Sequence, residues 1–168
     1  MKHFLITFLA IFLCVFSMNA QKIGYINTEL ILNEIPEYQA AQQQLNELAD
    51  KYKSAIESEI GKIDVLYKNY QSQKSSLSIA QQQVRENEII SKEKSIKEKQ
   101  NIYFGEDGVM SKKSEELINP IQKRVQNAIE LVARRENYVL VIDLSVAAGV
   151  VYSNDKYDLT TEIINILK

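Results

Sequence analysis

The sequence predicts an α+β protein: a small β-rich body carrying a long, protruding antiparallel helical hairpin. Three observations predict it. The only two prolines, Pro36 and Pro120, bracket a stretch dominated by Gln, Glu, Lys, Ser and Asn. Short segments rich in β-branched residues, 22–27 and 138–152, flank that stretch on both sides. Within it, apolar residues recur at helical spacing along one narrow seam. If both flanking segments enter one sheet, the insertion must fold back on itself. Such a shape grips rather than catalyses.

Residues 1–20, MKHFLITFLAIFLCVFSMNA, begin with Lys2, run apolar from Phe4 to Phe16 and close on small or polar residues. This is the pattern of a secretory signal peptide, with cleavage between Ala20 and Gln21. The apolar run of about a dozen residues falls short of the roughly 20 that a bilayer core requires, so no membrane anchor is predicted. A lipid attachment at Cys14 fails because the large Leu13 precedes it. His3 is the only histidine and Cys14 the only cysteine, and both leave with the signal. The mature chain then lacks imidazole, thiol and disulfide. Ser–His and Cys–His chemistry and the usual zinc sites are thereby excluded. The formal net charge of −2 becomes −3 once Lys2 is removed. Charges of both signs are well mixed, with no concentrated basic face for nucleic acid.

The elements follow in order. Residues 22–27, KIGYIN, read as a strand with Ile23 and Tyr25 on one face and Ile26 on the other. Asn27 or Thr28 caps a short helix over 29–35, with Leu30 and Ile31 turned back onto the strand. Pro36 suits the first turn of the next helix, where its missing N–H costs nothing. From 37 to 74, Ala41, Leu45, Leu48, Tyr52, Ile56, Ile63, Leu66 and Tyr70 step by three, four or seven, as in a coiled-coil arm. At 1.5 Å per residue this is a rod of about 57 Å. The turn falls in 71–78, rich in Ser and Gln. The returning arm runs from Ile79 to Phe104, and Gly105 and Gly108 break it. Leu117, Ile121, Val125, Ile129 and Val132 then step by four and finally by three in a helix leading back to the body. Pro120 predicts a kink there or a start near Asn119. Residues 138–144 form the strongest strand, 150–153 a further one. Asp158 or Thr160 caps a final helix with Ile163, Ile164 and Leu167 inward. The predicted division is a signal (1–20), a body (21–36 and 117–168) and a hairpin (37–116).

The order of these segments resembles the Skp, or OmpH-like, family of periplasmic chaperones. The closing segment YVLVIDLSVAAGVVYSNDKYDLTTEIINILK carries the likeness most specifically, and KIGYIN and the long charged hairpin add to it. The resemblance covers essentially all of 21–168. It implies a homotrimer, a body assembled from three subunits and coiled-coil tentacles around a cavity. That cavity would hold unfolded outer-membrane proteins in the periplasm without ATP, preventing their aggregation. Two departures stand out. Well-known members are strongly basic whereas this chain is mildly acidic, so a lipopolysaccharide site is not carried over. The Gly105–Gly108 break is not part of the general pattern.

Within that frame Ile23, Tyr25, Val139, Val141, Ile142, Val151, Tyr152 and Leu167 are the expected body core and assembly residues. Tyr67, Leu77, Ile79, Val84 and Ile89 are the expected client contacts. Tyr52 and Tyr70 sit on the seam and are expected to pack the arms together. The run 92–99 holds four lysines and two glutamates and reads as a solvated helix face. Asp143 and Asp158 read as a strand end and a helix cap, not a catalytic pair. No G-x-x-x-x-G-K-[ST] motif is present, so no nucleotide cycle is expected. No cofactor, metal or enzymatic activity is predicted. The rival reading is a structural or adaptor coiled coil of the cell envelope.

Overall fold

The computed structural model describes residues 22–168. The expected signal and its cleavage position at Ala20 and Gln21 lie outside the described residues. The chain resolves into two compact units, one formed by residues up to Glu34 with Val125–Lys168, the other by Ile35–Arg124.

The first unit holds β1 (Lys22–Ile26), α1 (Thr28–Asn33), the last turns of a helix α4 (Val109–Arg135), β2 (Tyr138–Asp143) and α5 (Thr160–Leu167). The two strands flanking the insertion do pair. β1 and β2 run parallel, with Ile23 opposite Leu140, Tyr25 opposite Ile142 and Ile26 opposite Asp143. A parallel pair needs a long crossover, and here the crossover is the entire insertion. Gly24 is required by close approach: a Cβ there would meet Leu159 and Tyr138 carbons at 2.9 Å. That face of the sheet is therefore sealed. Ile31, Val132 and Ile163 are the fully buried side chains of the body, with Ile26 and Leu159 nearly so. Helix α4 ends because Asn137 adopts the left-handed conformation, φ 57°, and its N–H returns to Arg134 O at 3.3 Å.

The body is less β-rich than expected. Residues 150–153 form no strand, since the position beside β1 is already taken. Tyr25 bridges to Asp158, and Leu159 N–H donates to Tyr25 O at 2.9 Å. Val150–Ser153 is left with no strand neighbour among the described residues. Val151 is accordingly 99% exposed. The expected core residues divide in the same way. Tyr25, Val141, Ile142 and Leu167 are partly buried, while Ile23, Val139, Val151 and Tyr152 are exposed. Strand alternation turns Ile23 away from the sealed face, and the buried core comes from the helices instead.

Helix α1 begins where Asn27 Oδ1 accepts from Leu30 N–H at 3.0 Å. Thr160 serves β1 rather than its own helix, its Oγ1 accepting from Asn27 N–H at 3.0 Å. The N-cap position of α5 is Leu159, which has no capping side chain, and Asp158 just ahead of it accepts from Thr160 N–H at 2.8 Å. Asp143 closes the end of β2. Its carboxylate accepts from Thr28 N–H at 3.1 Å, Ser145 N–H at 3.0 Å and both residues' hydroxyls. Burial pushes this carboxyl up, but the four donors outweigh it and hold it below the ordinary 3.8. A depressed folded-state value contributes stability above the unfolded pKa, lost as pH falls through the folded one. Asp143→Asn should therefore cost about 1–2 kcal/mol at neutral pH and flatten the loss of stability on acidification. Urea midpoints of both proteins across the acid range check this.

The second unit holds α2 (Pro36–Gln73), a 3₁₀ turn (Lys74–Ser76), α3 (Ile79–Phe104) and the first turns of α4. Pro36 occupies the first turn of α2. Ser78 and Gln81 form a reciprocal capping box at the start of α3. Contacts 52–103, 59–99 and 70–86 show the arms to be antiparallel. Gly105 ends α3 in an extended conformation, and a Cβ there would meet Asn101 O at 2.4 Å. Helix α4 then begins at Val109 and runs unbroken through Pro120, so the start near Asn119 is not observed. The residue four before Pro120, Glu116, is exposed, and water can take the carbonyl bond that proline forfeits.

Candidate functional site

The seam of the hairpin is built from side chains at coiled-coil spacing. Ala41, Leu45, Ile56 and Tyr70 of α2 are buried, as are Ile89 and Ile96 of α3. The Tyr52 and Tyr103 rings stack with centroids 4.1 Å apart, and Phe104 meets Tyr52 edge-on at 6.4 Å. Near the turn, Tyr70 Oη donates to Glu86, whose carboxylate lies 3.6 Å from Lys74 Nζ. Donation to Glu86 holds the Tyr70 phenol above its ordinary 10.0. Gln82 Nε2 donates to the Lys74 and Leu77 carbonyls at 3.0 and 3.1 Å, tying α3 to the turn. Tyr52 and Tyr70 therefore hold the arms together, as their seam positions predict.

The expected contact residues separate on this geometry. Tyr67, Ile79 and Val84 are 49%, 86% and 65% exposed. Leu77 is half-buried at the turn. Ile89 is only 8% exposed, and its expected role is corrected: it belongs to the seam, seven residues before Ile96. Sequence reasoning missed Ile60, Val65, Ile102 and Phe104, and left the exposed Ile90 among the apolar positions of the arm. Spacing held a usable signal, since Ile60 precedes Tyr67 by seven and follows Ile56 by four. At about 100° per residue, Ile60 and Tyr67 lie about 60–80° from the α2 seam, and Ile79 and Ile90 about 80–100° from that of α3. The turn is in the same sense on both arms, which on antiparallel helices is one shared flank. Val65, Val84 and Ile102 lie on the other.

A cleft of about 160 Å³ between the arms is lined by Leu66, Asn69, Tyr70, Gln73, Arg85, Glu88 and Ile89, mostly polar and open to solvent. Among the described residues no group of His, Cys, Asp and Glu could hold a metal ion, and no helix is long and apolar enough to cross a membrane. In the body, exposed apolar side chains gather on the open sheet face and the loop after β2: Ile23, Val139, Leu140, Val151 and Tyr152.

The family described as outer membrane protein (OmpH-like) matches residues 22–167. The chain belongs to the OmpH-like family. A crystal structure of an OmpH-like protein from Caulobacter crescentus, described as a candidate outer membrane chaperone, superposes with a TM-score of 0.65 at 12% identity. The match covers 88% of this chain and 83% of that one. At that identity the likeness shows a shared fold. No curated protein matches this chain. The OmpH-like assignment accounts for the polar hairpin inserted between two strands of one sheet, an arrangement that the seam and the β1–β2 register establish independently.

Proposed function

We propose that this OmpH-like chain is an exported, ATP-independent holdase. It binds unfolded outer-membrane proteins in the periplasm as a homotrimer and keeps them from aggregating. One observation carries the reading: large aliphatic and aromatic side chains, among them Ile60, Tyr67, Ile79 and Ile90, stand exposed on a polar hairpin. A holdase needs such a surface, because many contacts of about 1 kcal/mol each sum to useful affinity while each lets go readily. The family membership supports a chaperone role in general. The open sheet face with Ile23 and Leu140 supports self-association, as a small body cannot bury them alone. The inventory of the mature chain supports a non-enzymatic role.

Light scattering of an aggregating β-barrel protein tests the proposal. Suppression at stoichiometric trimer is expected, and its absence sinks the reading. Replacing Tyr67, Ile79 and Ile90 together by Ser should weaken client binding on the order of a hundredfold, at about 1 kcal/mol per side chain. The thermal unfolding midpoint should barely move, because all three are exposed. A structural adaptor would instead retain one folded partner in a pull-down from envelope extract.

A further inference from the structure

The seam of the hairpin brings two phenols face to face. Tyr52 of α2 and Tyr103 of α3 are distant in the chain, yet their rings stack with centroids 4.1 Å apart and planes inclined by 9°. That is closer than the roughly 4.5–7 Å at which aromatic pairs prefer to sit, so the packing of the arms sets the spacing. Phe104 braces Tyr52 edge-on. Among the described residues no other two tyrosine rings pair.

Packing leaves the two hydroxyl groups unexplained. Among the described residues neither phenol has a hydrogen-bond partner, whereas Tyr70 donates to Glu86. A phenylalanine ring would fill either place. Both rings are half-buried, so water can take their protons. The chain contains no tryptophan, and its one cysteine, Cys14, lies outside the described residues. Tyrosine is then the side chain here that surrenders a single electron most readily.

We propose that Tyr52 and Tyr103 form an oxidative cross-linking site, joined as dityrosine by a one-electron oxidant of the haem-peroxidase class acting with hydrogen peroxide. This is independent of the holdase reading. The step balances. Each phenol gives one electron to the oxidant and its O–H proton to water. The unpaired electron spreads to Cε, the ring carbon beside the oxygen. The two Cε atoms bond as the rings tilt from the stack, and each displaced ring hydrogen moves to its own oxygen. Two electrons and two protons have then left, and one peroxide takes them up as two waters. Stacking supplies the proximity, since radicals on separate molecules must meet by diffusion whereas these rings are already in contact. The new bond closes the loop from α2 through the turn to α3, and so restricts the unfolded chain as a disulfide does.

The test treats the purified full chain, at low concentration, with a haem peroxidase and hydrogen peroxide. Dityrosine fluorescence should appear, the intact mass should fall by two hydrogens, and a tryptic digest should join the peptides holding residues 52 and 103. The thermal midpoint of the hairpin should rise in the oxidised protein. Tyr52→Phe and Tyr103→Phe each retain a stacking ring and should lose both fluorescence and link. Tyr70→Phe should retain both. Fluorescence that survives Tyr52→Phe, a link between two chains, or consumption of peroxide with no bond between residues 52 and 103 overturns the proposal.

Discussion

Leu140→Asp should yield a folded protein that does not form the proposed assembly. Leu140 is 51% exposed and pairs in register with Ile23, itself 47% exposed. A carboxylate there costs the isolated chain little, because water still reaches it. In an assembly that covers this face, the same carboxylate is buried without a partner, at a cost of several kcal/mol. Association should therefore weaken by on the order of a thousandfold or more, each 1.4 kcal/mol being a factor of ten. Native mass measurement and far-ultraviolet circular dichroism together read the outcome. Unchanged mass would move the interface away from the open face of the sheet. A loss of helicity would mean that the side chain serves the fold of one chain.

The second large effect concerns the interior of the body. Ile163→Ala should destabilise this unit by about 3 kcal/mol, within the range for deleting a buried aliphatic side chain without full collapse of the space. Ile163 is fully buried with Ile31 and Val132, and its helix α5 packs on α1. Those contacts join the two ends of the chain. A denaturant series following the body should show an earlier midpoint. The seam contacts, including the Tyr52–Tyr103 stack, are separate and should keep their own stability. Simultaneous loss of body and hairpin in one transition at the wild-type midpoint would contradict this division.

Much of the fold was legible from spacing. Step lengths of three, four and seven from Ala41 to Tyr70 mark one buried stripe, and the structure buries it. Pro36, Ser78 and Gly105 act through the backbone of their own neighbourhood, so the bounds of α2 and α3 follow from local chemistry. The flank carrying Ile60, Tyr67, Ile79 and Ile90 was only half legible, since exposure on an arm depends on where its partner lies. Ile89 shows the difference. Its residue type suits contact or core equally, and the facing arm decides.

The strand segments show where local information ends. KIGYI and YVLVID each have intrinsic reason to be extended, and their residue types suffice for that. VVYS has the same propensity but forms no strand, because Asp158 and Leu159 already occupy the place beside β1. Asp143 likewise reads from sequence as a strand end, yet its depressed pKa depends on Thr28, 115 residues away. The sequence by itself determined the helical arms, their turn, their caps and two of the strands, all properties of residues close along the chain. The tertiary structure alone decided which strands pair, which apolar side chains stay in water and which carboxylate is held ionised. Those outcomes depend on competition among distant segments for a few neighbouring positions, and composition or periodicity carries no record of who wins.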